Sequence, residues 1–277
     1  MSSGFVLHHE VLRSDAAQNT AIVLHGALGS GQNFRGFARK LMQTRPDYAF
    51  VLADLRCHGQ SHPAGGPHTL EAAGHDVAVL AEALVREENM PPVRALVGHS
   101  LGGKVALQAA CSAPGLASQL FVLDSDPGTQ DPEDAHEIRT VIRGVRAVEM
   151  PVDSRKAVVD ALSAAGFSSG LANWMTTNLV RQGDELSWTF DLEGIEQLLG
   201  DYFAQDLWSC IEEPPQGLTI ELVIAANSDR WSGSMRQRAF GIDSSEHTHV
   251  HEIPDAGHWL HVDNPQALLE LMAERLL

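Results

Sequence analysis

A serine stands between two glycines in the stretch Gly98-His99-Ser100-Leu101-Gly102. The pattern G-x-S-x-G is too short to mean much alone. Its setting gives it weight: a buried-strand run, Arg94–Val97, precedes it, and a helical pattern starts at Leu101. The serine therefore falls at a strand–turn–helix junction. Such a turn has room only for small residues two positions to either side. It pushes the hydroxyl out at the carboxyl edge of a sheet, where ligands bind in open α/β folds. The helix behind the serine points its amide groups and positive dipole end at the same place, favouring developing negative charge. The chemistry this suggests is nucleophilic attack on a carbonyl carbon.

A serine hydroxyl needs a base. Of the 14 histidines, His258 stands out, in Asp255-Ala256-Gly257-His258-Trp259 after the last strand run. That loop leaves the sheet at the same edge as Ser100, and the chain order Ser…acid…His puts the base there. His261 is the fallback. A carboxylate should hold the histidine's tautomer and stabilise the imidazolium. Asp124, after the strand run Gln119–Leu123, and Asp229, after Thr219–Ala225, both fit, and sequence leaves both open. Asp126, beside Pro127, is a weaker third. The developing oxyanion needs two N–H donors. Leu101 supplies one. The other comes from the loop His25-Gly26-Ala27-Leu28-Gly29-Ser30, with Ala27 first and Leu28 second.

These residues must be positioned by alternating elements. Strand runs are read at Phe5–Leu12, Thr20–Leu24, Tyr48–Ala53, Arg94–Val97, Gln119–Leu123, Thr219–Ala225 and His249–Ile253. Helical patterns are read at Gln32–Gln43, Leu70–Glu87, Leu101–Ala113 and Pro265–Leu277. The alternation predicts an α/β fold with a mostly parallel sheet and helices on both faces. It breaks between Pro127 and Pro215, where the patterns Asp134–Val148, Ser154–Ala165, Gly170–Leu179 and Leu192–Phe203 are helical and no strong buried-strand run occurs. The reading is a core of residues 1–126 and 216–277 with a helical insertion, 127–215.

The chain has 277 residues and a formal net charge of −17. That charge repels phosphate backbones and anionic membranes, so nucleic acid is excluded as a partner. No apolar run approaches the ~18 residues of a membrane span. The N-terminal stretch lacks the apolar centre of a signal peptide, so a cytoplasmic location is expected. The widely spaced Cys57, Cys111 and Cys210 read as reduced structural cysteines. His247, His249 and His251 alternate along a strand, but no Asp or Cys cluster completes a ligand set, and no metal is expected. Arg56 reads as a brace between loops. Nothing in the sequence specifies an oligomeric state.

The stretches HGALGSGQNF, DLRCHGQS, GHSLGGK, LDSDP, TNLVRQGDELSWTFDLEGI and AGHWLHVDNPQ together resemble the α/β-hydrolase superfamily. They are most similar to the esterase branch of YbfF-type esterases and abhydrolase-domain-eleven proteins. The resemblance covers nearly the whole chain and implies a serine hydrolase of carboxylic esters or thioesters that needs no cofactor. It favours Asp124 as the acid, although Asp229 occupies the position that the wider superfamily uses. It also implies that the insertion caps the serine, with Trp174, Met175, Leu179, Trp188, Phe190 and Tyr202 as candidate apolar walls. Leu28 and Trp259 join Trp174 and Trp188 as candidate pocket residues. Related reactions on the same residues include carbon–carbon bond cleavage and lyase chemistry. A slow-turnover binding protein is the rival outside enzymes. An aspartate elbow, as in haloalkane and epoxide hydrolases, is absent.

Overall fold

The computed structural model describes residues 5–131, 136–242 and 247–277. In chain order the core begins with β1 (His9–Leu12), β2 (Asn19–Leu24), α1 (Arg35–Thr44), β3 (Tyr48–Ala53), α2 (Leu70–Arg86), β4 (Val93–His99), α3 (Leu101–Ser112) and β5 (Gln119–Leu123). A long segment follows with α4 (His136–Arg146), α5 (Arg155–Ala164), α6 (Ser169–Met175), β6 (Leu179–Gln182), β7 (Glu185–Trp188), α7 (Leu192–Ala204) and α8 (Trp208–Glu212). The chain then returns through β8 (Thr219–Ala225), α9 (Gly233–Ile242), β9 (Thr248–Ile253), α10 (Leu260–Asp263) and α11 (Pro265–Arg275).

Seven strands form one sheet in the order β1-β3-β2-β4-β5-β8-β9. Only β1 runs antiparallel, against β3; the other pairs are parallel. The apolar runs are continuous because both sheet faces are covered. In β3, Ala49, Val51 and Ala53 pack on one side with Val77 and Leu80 of α2 and Val105 of α3. Tyr48, Phe50 and Leu52 pack on the other with Phe37 and Leu41 of α1 and Leu268 of α11. The parallel direction brings the ends of β4, β5, β8 and β9 to one edge, where Ser100, Asp124, the 226–230 loop and His258 emerge.

The structure departs from the sequence reading in several places. The first strand pairs only from His9, not from Phe5. The inserted segment is not all helical, because β6 and β7 form a hairpin. These strands have four residues each, turn at Gly183 (φ 65°) and bury only Leu179 and Leu186, too little for a buried-strand pattern. The helix expected from residue 134 is described from His136 onward, and residues 134 and 135 lie outside the described residues. Helix α9 had no amphipathic signal, since Ala239 alone is buried. The expectation of three reduced cysteines is also corrected. Cys111 of α3 and Cys210 of α8 are joined as a disulfide with Cα atoms 6.2 Å apart, and only Cys57 is free. The chain folds back over 99 residues to bring α8 to α3, a juxtaposition that spacing does not reveal. No helix among the described residues is long and apolar enough to cross a membrane.

Candidate active site

Ser100 directly follows β4 with φ 53° and ψ −120°, a conformation that L-residues avoid. The glycines around it allow this. A methyl group on Gly98 would lie 2.1 Å from the Gly102 carbonyl oxygen, and one on Gly102 would lie 2.5 Å from that of His25. The turn is pinned by Ser100 N–H donating to the Leu123 carbonyl at 3.0 Å. Strain of this kind persists only where the surroundings enforce it.

His258 reaches Ser100 Oγ through Nε2 at 3.0 Å and Asp124 Oδ2 through Nδ1 at 2.8 Å. Asp124 is itself in left-handed backbone (φ 43°) and fully buried. Its Oδ1 accepts the Ala225 N–H at 3.0 Å, and its Oδ2 also accepts the Ser228 hydroxyl at 2.6 Å. A carboxylate accepting three hydrogen bonds suits burial, because its charge is compensated. With Nδ1–H given to Asp124, Nε2 is the acceptor that faces the serine. The alternative acid, Asp229, has a side chain 80% exposed and lies 3.5 Å from Arg230. Asp126 accepts Gly128 N–H and Gln130 Nε2 and orders the start of the insertion.

The 25–30 loop crosses beside the serine, so that a methyl group on Gly26 would meet Ser100 Cβ at 3.2 Å. The Leu28 peptide is clamped on both sides. Its N–H donates to His58 Nε2 at 3.1 Å, and its carbonyl accepts Asn178 Nδ2 at 2.8 Å. Leu28 therefore has no amide to offer a ligand, whereas Ala27 and Leu101 have no such bond among the described residues. Sequence reasoning missed His25, His58, His99 and Asn178, because a hydrogen-bonded brace has no pattern. His25 Nδ1 donates to the Gly26 carbonyl and its Nε2 accepts Leu55 N–H. His58 Nδ1 donates to the Arg56 carbonyl. Burial lowers His25 to about 4 and His58 to about 3, so both are neutral braces. His99 Nε2 donates to the His258 carbonyl at 2.7 Å, and burial, with His258 and His261 close by, keeps it well below its ordinary range.

A cavity of about 560 Å³ opens onto Ser100, Ala27, Leu101 and His258. Leu28, Trp174, Tyr202 and Trp259 line it, and Trp174 meets Trp259 edge to face at 5.0 Å. Trp188 is corrected as a pocket residue: it stacks on Phe190 at 5.1 Å and is not among the residues that line the cavity. Met175, Leu179 and Phe190 are buried but likewise outside it. His261 lines the cavity while stacked on Phe34 at 4.2 Å. Among the alternating histidines, His251 Nε2 is bound to Glu221 at 2.6 Å, within an ion cluster that includes Arg275. Arg56 spans buried Asp76 and the Pro67 carbonyl and braces two loops.

The alpha/beta hydrolase family model matches residues 21–271. The chain belongs to this family. An sn-1-specific diacylglycerol lipase, ABHD11 of Mus musculus, is 30% identical across 98% of the chain and 85% of its own length. Its counterpart from Danio rerio is 28% identical across 94% and 78%. Among solved structures, a marine microorganism esterase superposes with a TM-score of 0.83 at 22% identity, over 99% of this α/β-hydrolase and all (100%) of that chain. An E-2-(acetamidomethylene)succinate hydrolase gives 0.74 at 17% identity, over 96% and 98%. The fold expected from the sequence is therefore the observed one.

Proposed function

We propose that this α/β-hydrolase cleaves carboxylic esters or thioesters with short- to medium-chain acyl groups through an acyl-enzyme. The observation that carries the reading is His258 standing in hydrogen-bond reach of both Ser100 Oγ and the buried Asp124 carboxylate. His258 Nε2 takes the Ser100 proton as Oγ attacks the carbonyl carbon. The carbonyl oxygen becomes an oxyanion held by the Ala27 and Leu101 amides at the start of α3. His258 then gives its proton to the leaving alkoxide or thiolate. Water, deprotonated by the same nitrogen, releases the acid and restores the serine. Asp124 holds the tautomer throughout. No cofactor takes part.

Residues 127–215 act as a cap on the core formed by 1–126 and 216–277. Leu171, Trp174, Leu199, Tyr202 and Phe203 bring apolar surface from this segment to the cavity. Its volume is in the usual range for small-molecule pockets. The related lipases from mouse and zebrafish are named for diacylglycerol, itself a carboxylic ester, which belongs in the substrate panel. A series of p-nitrophenyl acetate, butyrate and octanoate, acyl-CoA thioesters, a diacylglycerol and a β-diketone tests the reading. Turnover of esters or thioesters is expected. Turnover of the β-diketone alone, or acylation without turnover, would contradict it.

A further inference from the structure

Away from the cavity, the seam between the core and the inserted segment holds a cluster of a different kind. Cys57, His68 and Asp191 bring one thiol, one imidazole and one carboxylate within 4.8 Å of one another, the only such three-residue group among the described residues. Cys57 Sγ lies 3.1 Å from His68 Nδ1. Asp191 Oδ1 caps α7 by accepting the Glu193 and Gly194 amides, which leaves Oδ2 for another partner. The backbones are tied as well: Asp191 N–H donates to the Cys57 carbonyl at 2.8 Å. Gly194, in the first turn of α7, keeps the space open. A methyl group there would lie 2.5 Å from Cys57 Sγ and 2.9 Å from Asp191 Oδ2.

We infer that Cys57, His68 and Asp191 form a binding site for a zinc-type divalent cation that joins the 54–61 loop to the start of α7. Thiolate and imidazole select zinc or cobalt over magnesium or calcium, and three protein ligands leave a fourth tetrahedral position to water. Donor atoms this close need only small movements to reach ligand distances of about 2.0–2.3 Å. The cation replaces the thiol proton, which leaves to solvent; no oxidant or reductant is involved. No metal was expected because no Asp or Cys cluster completes a ligand set around His247, His249 and His251. Cys57 and His68 are 11 residues apart and Asp191 lies far along the chain, so no ligand spacing announced the group.

The role is structural. His58, next to Cys57, holds the Leu28 amide at 3.1 Å, and α7 carries Leu199, Tyr202 and Phe203 to the cavity. A cation at the seam fixes these two elements to each other and touches none of Ser100, His258 or Asp124.

The test uses the full chain, stripped with a chelator under non-reducing conditions, where Cys57 is the only thiol. Titration with Co2+ is expected to give one equivalent with thiolate-to-cobalt charge-transfer absorption in the near ultraviolet, displaced by Zn2+. Zn2+ is expected to raise the melting temperature, and Mg2+ is not. His68→Ala and Asp191→Asn should each weaken Co2+ binding at least about tenfold, and Cys57→Ala should abolish the charge-transfer band. If Cys57→Ala does not fold, the other two variants decide. Cobalt bound without the thiolate band, equal binding in His68→Ala and Asp191→Asn, or an equal shift with Mg2+ would overturn the assignment.

Discussion

His99, the residue before Ser100, donates from Nε2 to the backbone carbonyl of His258 at 2.7 Å, with the two rings 4.8 Å apart. A carbonyl only accepts, so this bond fixes the His99 tautomer. The residue at the variable position of G-x-S-x-G thus holds the loop of His258 against the turn of Ser100. Replacing His99 by alanine should lower kcat by between about tenfold and 100-fold with a smaller change in KM, since a misplaced base weakens the chemical step more than binding. Glutamine, which keeps a donor, should recover part of the loss. Steady-state kinetics on p-nitrophenyl butyrate check this; equal kcat in the alanine variant would show that the bond has no positioning role.

The choice of acid gives a second comparison. Asp124→Asn should reduce kcat by about 10⁴-fold, because the amide favours the wrong histidine tautomer. Asp229→Asn should stay within about twofold, because its side chain is 80% exposed and faces Arg230. The opposite ranking would move the acid to the later loop.

The buried neutral histidines set a pH dependence of stability. His25 and His58 fall from an ordinary 6.5 to about 4 and about 3, and burial also brings His261 to about 4. Below pH 6.5 the unfolded chain takes up protons that the folded chain refuses. Their contribution is therefore complete above 6.5 and is lost progressively as pH falls toward 4, by up to about 3 kcal/mol for each group. Urea midpoints at pH 7.5, 6 and 5 should fall in that order. His58→Gln, which removes one of these groups, should flatten the slope; an unchanged slope would contradict the neutral-brace assignment.

Lys104 is fully buried in α3 and donates from Nζ to the Gly128 carbonyl at 2.7 Å and the Tyr202 carbonyl at 2.6 Å. Burial lowers it to about 8, with Asp126 opposing the shift. It ties α3 to the start of the inserted segment and to α7. Lys104→Met should cost about 2–3 kcal/mol, since two charge-assisted bonds are lost and two carbonyls are left unpaired. Chemical denaturation measures this; an unchanged midpoint would remove Lys104 from the anchoring of the insertion.

Much of the candidate site was legible because one-dimensional rules govern it. A tight turn demands glycines at 98 and 102, and a parallel sheet sends every strand end to one edge, so Ser100, His258 and the two candidate acids could be placed from pattern alone. The residue pattern alone did not choose between Asp124 and Asp229, since both follow a strand at that edge; only the resemblance favoured Asp124. What distinguishes them is the set of donors around Asp124, namely Ala225 N–H and the Ser228 hydroxyl, more than 100 residues away in the chain. Distance along the chain also hid the Cys111–Cys210 pair and the clamp of His58 and Asn178 on Leu28. Trp188 was misplaced for a different reason: an aromatic in an inserted segment can pack within it or face the cavity, and its stacking on Phe190 is a property of the folded hairpin.

The central claim is that Ser100 is the nucleophile. The most direct measurement is intact-mass analysis after exposure to a fluorophosphonate, paired with kcat on p-nitrophenyl butyrate. The wild-type chain should gain one adduct at Ser100 and lose activity in step with labelling. Ser100→Ala should gain none and lose at least about 10³-fold in kcat. An adduct on another residue, or a Ser100→Ala variant that turns over ester at the wild-type rate, would contradict it.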